Sequence, residues 1–370
     1  MKTVNGIFAS AKIFTDDVEE YAAAQIKLLC DNESAKGSTI RVMPDVHPGK
    51  AGVIGLTMTV GEKVLPNLVG IDIGCGITIT KIKQKKIEFQ RFDTVIRENV
   101  PAGSLTRKKP HRFYRGFDLT RLRCYGSINE RKAGLSLGTL GGGNHFIEAD
   151  RDEEESLYLA VHSGSRHLGK EVTEYYLRKG QEELKHRGIR LPYEMTVLEG
   201  KFKEDYLHDQ QIVKEYAALN REAITDELVK GMKLKALEVF SCSHNYIESG
   251  RGKVILRKGA VSACEGEKVA IPVNMRDGIL LGTGKGNPDW NYSAPHGSGR
   301  ILRRDEVQNL YTVSAFKKEM EGIYCSCIGK GTLDEAPFAY RDLGYIRQAV
   351  GDTVEIEKLL KPIYSYKCGN

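Results

Sequence analysis

The chain has 370 residues, 41% of them hydrophobic, with 55 Lys and Arg against 49 Asp and Glu for a net charge of +6. That is enough chain for a substantial core, as two or three domains or one large α/β unit, and too little net charge to argue nucleic-acid binding from the total, so any such surface is local. No run approaches the ~20 apolar residues of a membrane span, the opening MKTVNGIFASAKIFTDD lacks the apolar core of a signal peptide, and eight dispersed cysteines without a CxxC pair are no secreted disulfide scaffold; a cytoplasmic protein with reduced thiols and no membrane association is expected.

The first 100 residues mix short β-branched apolar runs, TIRVM, GVIGLTMTV and GITITKI, with glycine turns, which predicts strands and tight loops. Two segments here stand out, MPDVHPG (43–49) and GIDIGCG (70–76). In the second, Asp72 and Cys75 are either a turn-capping carboxylate and a buried thiol or two ligands of one metal site. Segment 106–125 carries seven Lys or Arg against Asp118 alone, interleaved with Phe113, Tyr114, Phe117 and Tyr125. Cations hold phosphates and aromatic faces stack on unpaired bases, so this composition suits single-stranded RNA or DNA; the alternative is a solvated basic loop. GGGNHFIE (141–148) and VHSGSRHLG (161–169) follow. Residues 168–190 and 204–240 then change texture. Ile212, Tyr216, Leu219, Ala223 and Ile224 recur at helical spacing, predicting a long amphipathic helix over 204–240. CSHNYIE (242–248) leads into a second strand-and-glycine region over 253–302 that contains APHGSGR (294–300). Short helices and loops are expected over 314–350, with Cys325 and Cys327 as two ordinary strand positions, and the chain ends in the β-compatible KPIYSYKC. No linker or repeat divides these parts, so residues 1–370 read as one continuous α/β domain of mixed α+β type with a helical excursion at 168–240.

The glycine-framed segments hold six of the nine histidines. Glycine lets a backbone turn sharply and approach a ligand closely, which a core histidine does not require. A carboxylate, a thiolate and neutral imidazoles suit a borderline divalent ion rather than magnesium, and zinc or manganese both fit. A thiolate can bridge two ions, so Asp72 and Cys75 on one turn can begin a binuclear site. None of the spacings is that of a zinc finger, which points to catalytic rather than structural metal. Arg166, the pair Arg257 and Lys258, and Arg300 stand beside glycine-rich backbone as candidate phosphate cations. GTGKGNP (282–288) lacks the spacing and the hydroxyl residue of a phosphate loop.

Taken in order, MPDVH, GIDIGCG, GTLGGGNHFIE, HSGSR, a helix ending YAALNRE, SHNYIE, RKGA, PHGSGR, LDEAPFAY and a lysine at the very end resemble the RtcB family of RNA ligases, from about residue 38 to the C-terminus. The resemblance implies a single RtcB-like domain with mixed sheets. It implies an enzyme dependent on GTP and manganese (Mn2+) that joins RNA 3′-phosphate or 2′,3′-cyclic phosphate ends to 5′-hydroxyl ends through a histidine–GMP intermediate and a 3′-guanylated RNA, in RNA repair or tRNA splicing. An activating protein is a conceivable partner. By the same resemblance Asp72, Cys75, His145, His162 and His244 hold two manganese ions, with Cys75 bridging. His296 is the nucleophile. Guanylate contacts fall to Asn144, His145, Phe146, Glu148, Asn245, Met275, Gly297, Ser298, Gly299, Tyr340 and Lys367. Where common members of the family read IPGSMG, this chain reads IPVNMRDG at 271–278, and it is short for the family, which points to a divergent, repair-oriented branch. Two competing readings are a binuclear metallophosphoesterase that opens 2′,3′-cyclic phosphates and an idle RNA-binding relative. His296 and Lys367 weigh against the first, the complete ligand set against the second.

Overall fold

Alternating apolar residues build the sheet that carries the site. The computed structural model describes residues 1–250 and 252–369. Among these, seven antiparallel strands lie in the order Lys268–Asn274, Gly278–Gly284, Val354–Lys367, Phe146–Arg151, Leu157–Ser163, Gly76–Ile82 and Ala236–Ser243. In Leu157–Ser163, Leu157, Leu159 and Val161 enter one apolar layer with Ile147, Ile224 and Leu228. Tyr158 and Ala160 enter the opposite layer with Ile77, Ile79, Val269 and Leu280, the two-residue period of a strand buried on both faces. A second sheet has six strands, Lys2–Asn5, Ser10–Ile13, Ile40–His47, Ile54–Thr59, Lys253–Lys258 and Asn245–Gly250 in spatial order, with one parallel pairing between Ser10–Ile13 and Ile40–His47. Ala260–Ser262 and Ser293–Pro295 form a separate two-stranded ribbon. The fold is mixed α/β, as the sequence predicts.

Helices Arg166–His186 and Gly200–Gly231 pack on each other, and the longer one lies against strands Gly76–Ile82 and Leu157–Ser163. It buries Ile212, Tyr216, Ala223 and Ile224, the face read from the sequence. The predicted end at 240 is wrong by nine residues. Gly231 packs where an added Cβ would fall 2.5 Å from Val95, Lys233 turns to φ 53°, and Leu234 N–H donates to Val229 O at 2.8 Å, so the helix closes there. Residues 236–243 instead form the edge strand of the seven-stranded sheet. Three helices also interrupt the region expected to hold strands and loops, Glu20–Cys30, the single turn Pro66–Val69 and, last, Phe89–Asn99. The last of these starts where the Glu88 carboxylate accepts from Gln90 N–H and Arg91 N–H, a cap that outweighs β-branched texture. Cys325 and Cys327 lie in a turn, not a strand. No helix among the described residues is long and apolar enough to cross a membrane.

Register brings the sequence motifs together. Gly76 lies opposite both Ser163 and Ser243, and Phe146 lies opposite both His162 and Lys367. Cys75, His145, His162, His244 and Lys367 therefore stand at one end of five neighbouring strands. The chain passes from the seven-stranded to the six-stranded sheet at His244, the single residue between Ala236–Ser243 and Asn245–Gly250.

Candidate active site

The strand ends and their turns set four ligand-type side chains around the sulfur of Cys75. Cys75 Sγ lies 3.4 Å from His145 Nε2 and 3.4 Å from His162 Nε2. His162 Nε2 is 3.4 Å from His244 Nε2, and Asp72 Oδ2 is 3.1 Å from His145 Nε2. The potential ligand atoms fall into two overlapping groups, Cys75 with His162 and His244, and Asp72 with Cys75 and His145, each within 4.8 Å. Cys75 belongs to both. Glycine is needed at two places around Asp72, one in its own turn and one just after strand Leu157–Ser163. Gly74 sits at φ 74° against helix Gly200–Gly231, and a Cβ on Gly164 would fall 2.0 Å from the Asp72 carboxylate.

Backbone carbonyls set the imidazole tautomers. His145 Nδ1–H donates to Leu140 O at 2.9 Å and His162 Nδ1–H to Asn144 O at 3.1 Å. Each bond leaves an Nε2 lone pair facing the sulfur, the arrangement a metal-ligating histidine takes. Burial drives His162 and His244 well below the usual imidazole value, so both are neutral donors near pH 7. Burial also pushes the Cys75 thiol well above the usual range, and the neighbouring Asp72 carboxylate adds to it. Burial raises the Asp72 carboxyl as well, but a proton on His145 Nε2, the one a metal ion would displace, and the Arg166 charge outweigh it and hold the group well below an ordinary carboxylate. A buried thiol beside a carboxylate becomes a thiolate when a cation replaces its proton. This donor set fits a borderline divalent metal.

His296 approaches the cluster from the other side. Its ring centroid lies 4.8 Å from that of His244. His296 Nδ1–H donates to Asp45 Oδ2 at 2.8 Å, and Asp45 is fully buried at the end of strand Ile40–His47. The bond leaves the Nε2 lone pair of His296 for chemistry. Gly299 stands at φ 80° where a Cβ would fall 2.5 Å from Asp45 O, so this loop closes over the Asp45 backbone only with glycine there.

Beside His296 is a pocket with a cavity volume of about 130 Å³. Asn144, Phe146, Glu148, Met275, Gly297, Ser298, Gly299, Tyr340 and Lys367 all line it. Of the expected guanylate contacts, His145 belongs to the donor cluster instead, and Asn245 lines a second, wider groove that also touches Asp72, Cys75, His244 and His296. Asn245 Oδ1 accepts from Gly259 N–H at 2.9 Å. Lys367 Nζ donates to Glu335 Oε2 at 2.7 Å, Tyr340 OH to the same oxygen at 2.6 Å, and Arg304 pairs with Glu335 Oε1 at 2.7 Å. Burial opposes ionisation of Glu335, but Lys367, Arg304 and Arg300 hold its carboxyl well below the usual value. Burial raises Glu148 to about 7 against the pull of Lys367.

Sequence reasoning missed Asp45 and Glu335 as working residues, although both lie inside quoted motifs, MPDVH and LDEAPFAY. Nothing in either motif signals that its acid meets a residue more than thirty positions away. Arg257 and Lys258 do not serve as free phosphate cations. Arg257 is buried, donating to Ser293 Oγ at 2.9 Å and pairing with Glu248 at 3.0 Å. Lys258 Nζ donates to Asn67 O at 3.3 Å, and burial lowers it to about 8. Arg166 and Arg300 do reach the site: Arg166 NH1 lies 3.2 Å from His145 Nδ1, and Arg300 lines both the pocket and the groove. In segment 106–125, Arg107, Arg112 and Arg121 pair with Glu227, Asp226 and Glu215 of the long helix.

The family model described as tRNA-splicing ligase RtcB matches residues 35–120 and 118–368. The chain is 29% identical to RNA-splicing ligase RtcB of Escherichia coli strain K12, over 89% of this chain and 90% of that protein. It is 28% identical to tRNA-splicing ligase RtcB of Aeropyrum pernix, over 86% of this chain and 85% of that protein. Against RNA-splicing ligase RtcB2 of E. coli ATCC 25922 the identity is 25%, over 88% and 86%.

Proposed function

This chain belongs to the RtcB family, and from that premise we propose that it is an RNA ligase acting as one unit, joining an RNA 3′-phosphate or 2′,3′-cyclic phosphate end to a 5′-hydroxyl end at the expense of GTP, with two manganese ions at the Cys75 cluster. The observation that carries this reading is the His296–Asp45 pair, placed between a donor cluster and a pocket lined by Glu148, Tyr340 and Lys367. A hydrolase of cyclic phosphates needs the cluster but no oriented imidazole facing that pocket.

Asp45 keeps the His296 proton on Nδ1, so Nε2 attacks the α-phosphorus of GTP. A P–N bond forms, the α–β P–O bond breaks, and pyrophosphate leaves. An oxygen of the RNA 3′-phosphate next attacks the same phosphorus, freeing the imidazole and leaving a guanylate-capped 3′ end. The 5′-hydroxyl oxygen then attacks the RNA phosphorus, its proton is lost, and GMP departs. A cyclic phosphate is first opened by water to the 3′-phosphate. When bound, manganese supplies neutralising charge for the phosphates and acidifies a bound hydroxyl. The chain itself orients the reactants. Glu148 offers acceptor oxygens to the N–H edge of guanine, Lys367 and Arg300 supply cations at the pocket, and Phe146 and Met275 give it apolar walls. The groove shared by His244, His296, Arg300, Arg303 and Arg304 receives the RNA ends.

Intact-mass measurement after incubation with GTP and manganese tests the reading. The wild-type protein gains one GMP. His296→Ala gains none and keeps its metals, yet still seals RNA supplied with a preformed 3′-guanylate cap, which bypasses the histidine step. No adduct on the wild type, or the same adduct on His296→Ala, would favour the phosphoesterase.

A further inference from the structure

The turn that holds Cys325 and Cys327 runs beside the last half of strand Val354–Lys367 and extends its hydrogen-bond ladder. Tyr324 N–H donates to Ile363 O at 3.0 Å, and Ser365 N–H donates to Tyr324 O at 3.0 Å. At the next rung the acceptor is a sulfur: Lys367 N–H donates to Cys327 Sγ at 3.2 Å. Cys325 Sγ lies 3.3 Å from Cys327 Sγ, and both residues are half-buried. Two thiols at that separation need to approach by about 1.3 Å to reach the ~2.05 Å of a disulfide. The side chain of Lys367 meanwhile donates to Glu335 in the pocket beside His296.

The hydrogen bond from Cys325, then the backbone N–H and charge of Lys367, hold the Cys327 thiol below the ordinary cysteine value, at about 7, against the effect of burial. Cys327 is accordingly the nucleophilic member of the pair and Cys325 the resolving one.

We propose that Cys325 and Cys327 form a reversible thiol–disulfide site that takes a hydroperoxide as oxidant, and that closing the disulfide weakens nucleotide binding in the Lys367 pocket. The coupling, though not the disulfide, rests on the guanylate reading given above. The Cys327 thiolate attacks a peroxide oxygen, the O–O bond breaks, and an alcohol leaves after taking up a proton, which gives a sulfenic acid. The Cys325 sulfur then attacks that sulfur, the S–O bond breaks, and water leaves with the Cys325 proton. Two electrons pass from the thiols to the peroxide. The new disulfide sulfur is neutral and has moved toward Cys325, so the buried N–H of Lys367 loses a charged acceptor and the residue shifts within the pocket wall.

The test uses the full chain, reduced and then exposed to tert-butyl hydroperoxide. Tryptic peptide 319–330 contains both cysteines and no other. It is expected to lose two hydrogens and to resist alkylation until dithiothreitol is added. A fluorescent GTP analogue, titrated in parallel, is expected to bind roughly tenfold more weakly to the oxidised protein, the scale of one hydrogen bond to a charged group, and to recover on reduction. The double variant Cys325→Ser, Cys327→Ser should keep its affinity through the same exposure. Peptide 319–330 fully alkylated after oxidation, or carried on to sulfinic acid, overturns the redox site. A disulfide with unchanged affinity, or an equal loss in the double variant, overturns the coupling. A disulfide in a protein that binds no GTP even when reduced leaves the redox site standing and counts against the guanylate reading.

Discussion

Replacing Asp45 by Asn should slow guanylylation of His296 far more than it disturbs the fold. The carboxylate accepts the His296 Nδ1 proton at 2.8 Å and is fully buried, so water does not screen the bond. A hydrogen bond to a charged group contributes about 1.5–3 kcal/mol. With each 1.36 kcal/mol a decade in rate, its loss alone costs about 10- to 150-fold. Asn adds a second effect: its amide can donate to Nδ1, which moves the ring proton to Nε2 and removes the attacking lone pair. A wrong tautomer of this kind can cost about 10⁴-fold, so Asp45→Asn should be slower than Asp45→Ala. Stability should move the other way, because Asp45 Oδ1 is buried without a hydrogen-bond partner and the substitution removes a desolvated charge. The assay is a time course of the GMP adduct by intact mass, with metal content and melting temperature on the same samples. Labelling of Asp45→Asn at the wild-type rate would refute the tautomer argument. Slow labelling together with a lower melting temperature would assign Asp45 to the fold instead.

Cys75 belongs to both donor groups and His145 to one, so Cys75→Ala should lower occupancy of both ions and abolish ligation, whereas His145→Ala should mainly empty one site; metal analysis of the two variants decides, and unchanged metal in Cys75→Ala with full activity would sink the assignment. Burial raises the Glu148 carboxyl from 4.5 to about 7, so the folded state holds its proton longer than the unfolded state does. Below pH 4.5 both states are neutral at this group. Between 4.5 and 7 the unfolded chain ionises first and the protein loses stability, and above 7 the deficit is constant. Glu148→Gln should therefore be more stable than wild type at pH 8, by about 3 kcal/mol at most, with the advantage vanishing near pH 4; urea midpoints that differ equally at both pH values would contradict this. In segment 106–125, Arg107 is tied to Glu227 while Lys108 and Lys109 are exposed, so neutralising the two lysines should flatten the slope of log K for single-stranded RNA against log salt by about 1.4, and an unchanged slope would make the segment a solvated loop.

The parts of the fold that the sequence reveals are those where one physical signal dominates. Alternation in GITITKI and the apolar stripe from Ile212 to Ile224 each specify an element, and both form. The end of the long helix was hidden because Lys233, Leu234 and Lys235 carry no breaker, and closure depends on Gly231 meeting Val95 across the structure. The strand after it was hidden because it is a sheet edge, with Leu237 and Val239 exposed, so no inward-facing pattern marks it. At the site, residue type and glycine framing singled out Asp72, Cys75 and six histidines, and only the resemblance to the RtcB family chose His145, His162 and His244 among them. Asp45 and Glu335 were not legible as partners of His296 and Lys367, because an acid's role depends on which charge it meets after folding. The turn holding Cys325 and Cys327 was misread for the same reason: a C-x-C step looks alike in a strand and in a turn, and only the rung it completes beside Lys367 distinguishes them.

The position of His244 shows how His296 and the donor cluster come to lie side by side. Asp45 belongs to the six-stranded sheet, His162 to the seven-stranded one with Cys75 just before its strand Gly76–Ile82, and His296 follows the two-stranded ribbon. The sheets share no strand, so their relative placement rests on what crosses between them. His244 crosses as a single residue: its N–H donates to Cys75 O at 2.8 Å, and its carbonyl accepts from Ala260 N–H at 3.2 Å, at the start of the ribbon that leads to His296. Its side chain enters the donor cluster while its ring lies beside that of His296. One residue thus ties the donor cluster to His296 by backbone bonds on both sides, and a ligand held by its Nε2 would lie beside His296. Helix Gly200–Gly231, packed on strands of both sheets, and Gly74 N–H, which donates to Asn245 O at 2.6 Å, hold the same junction.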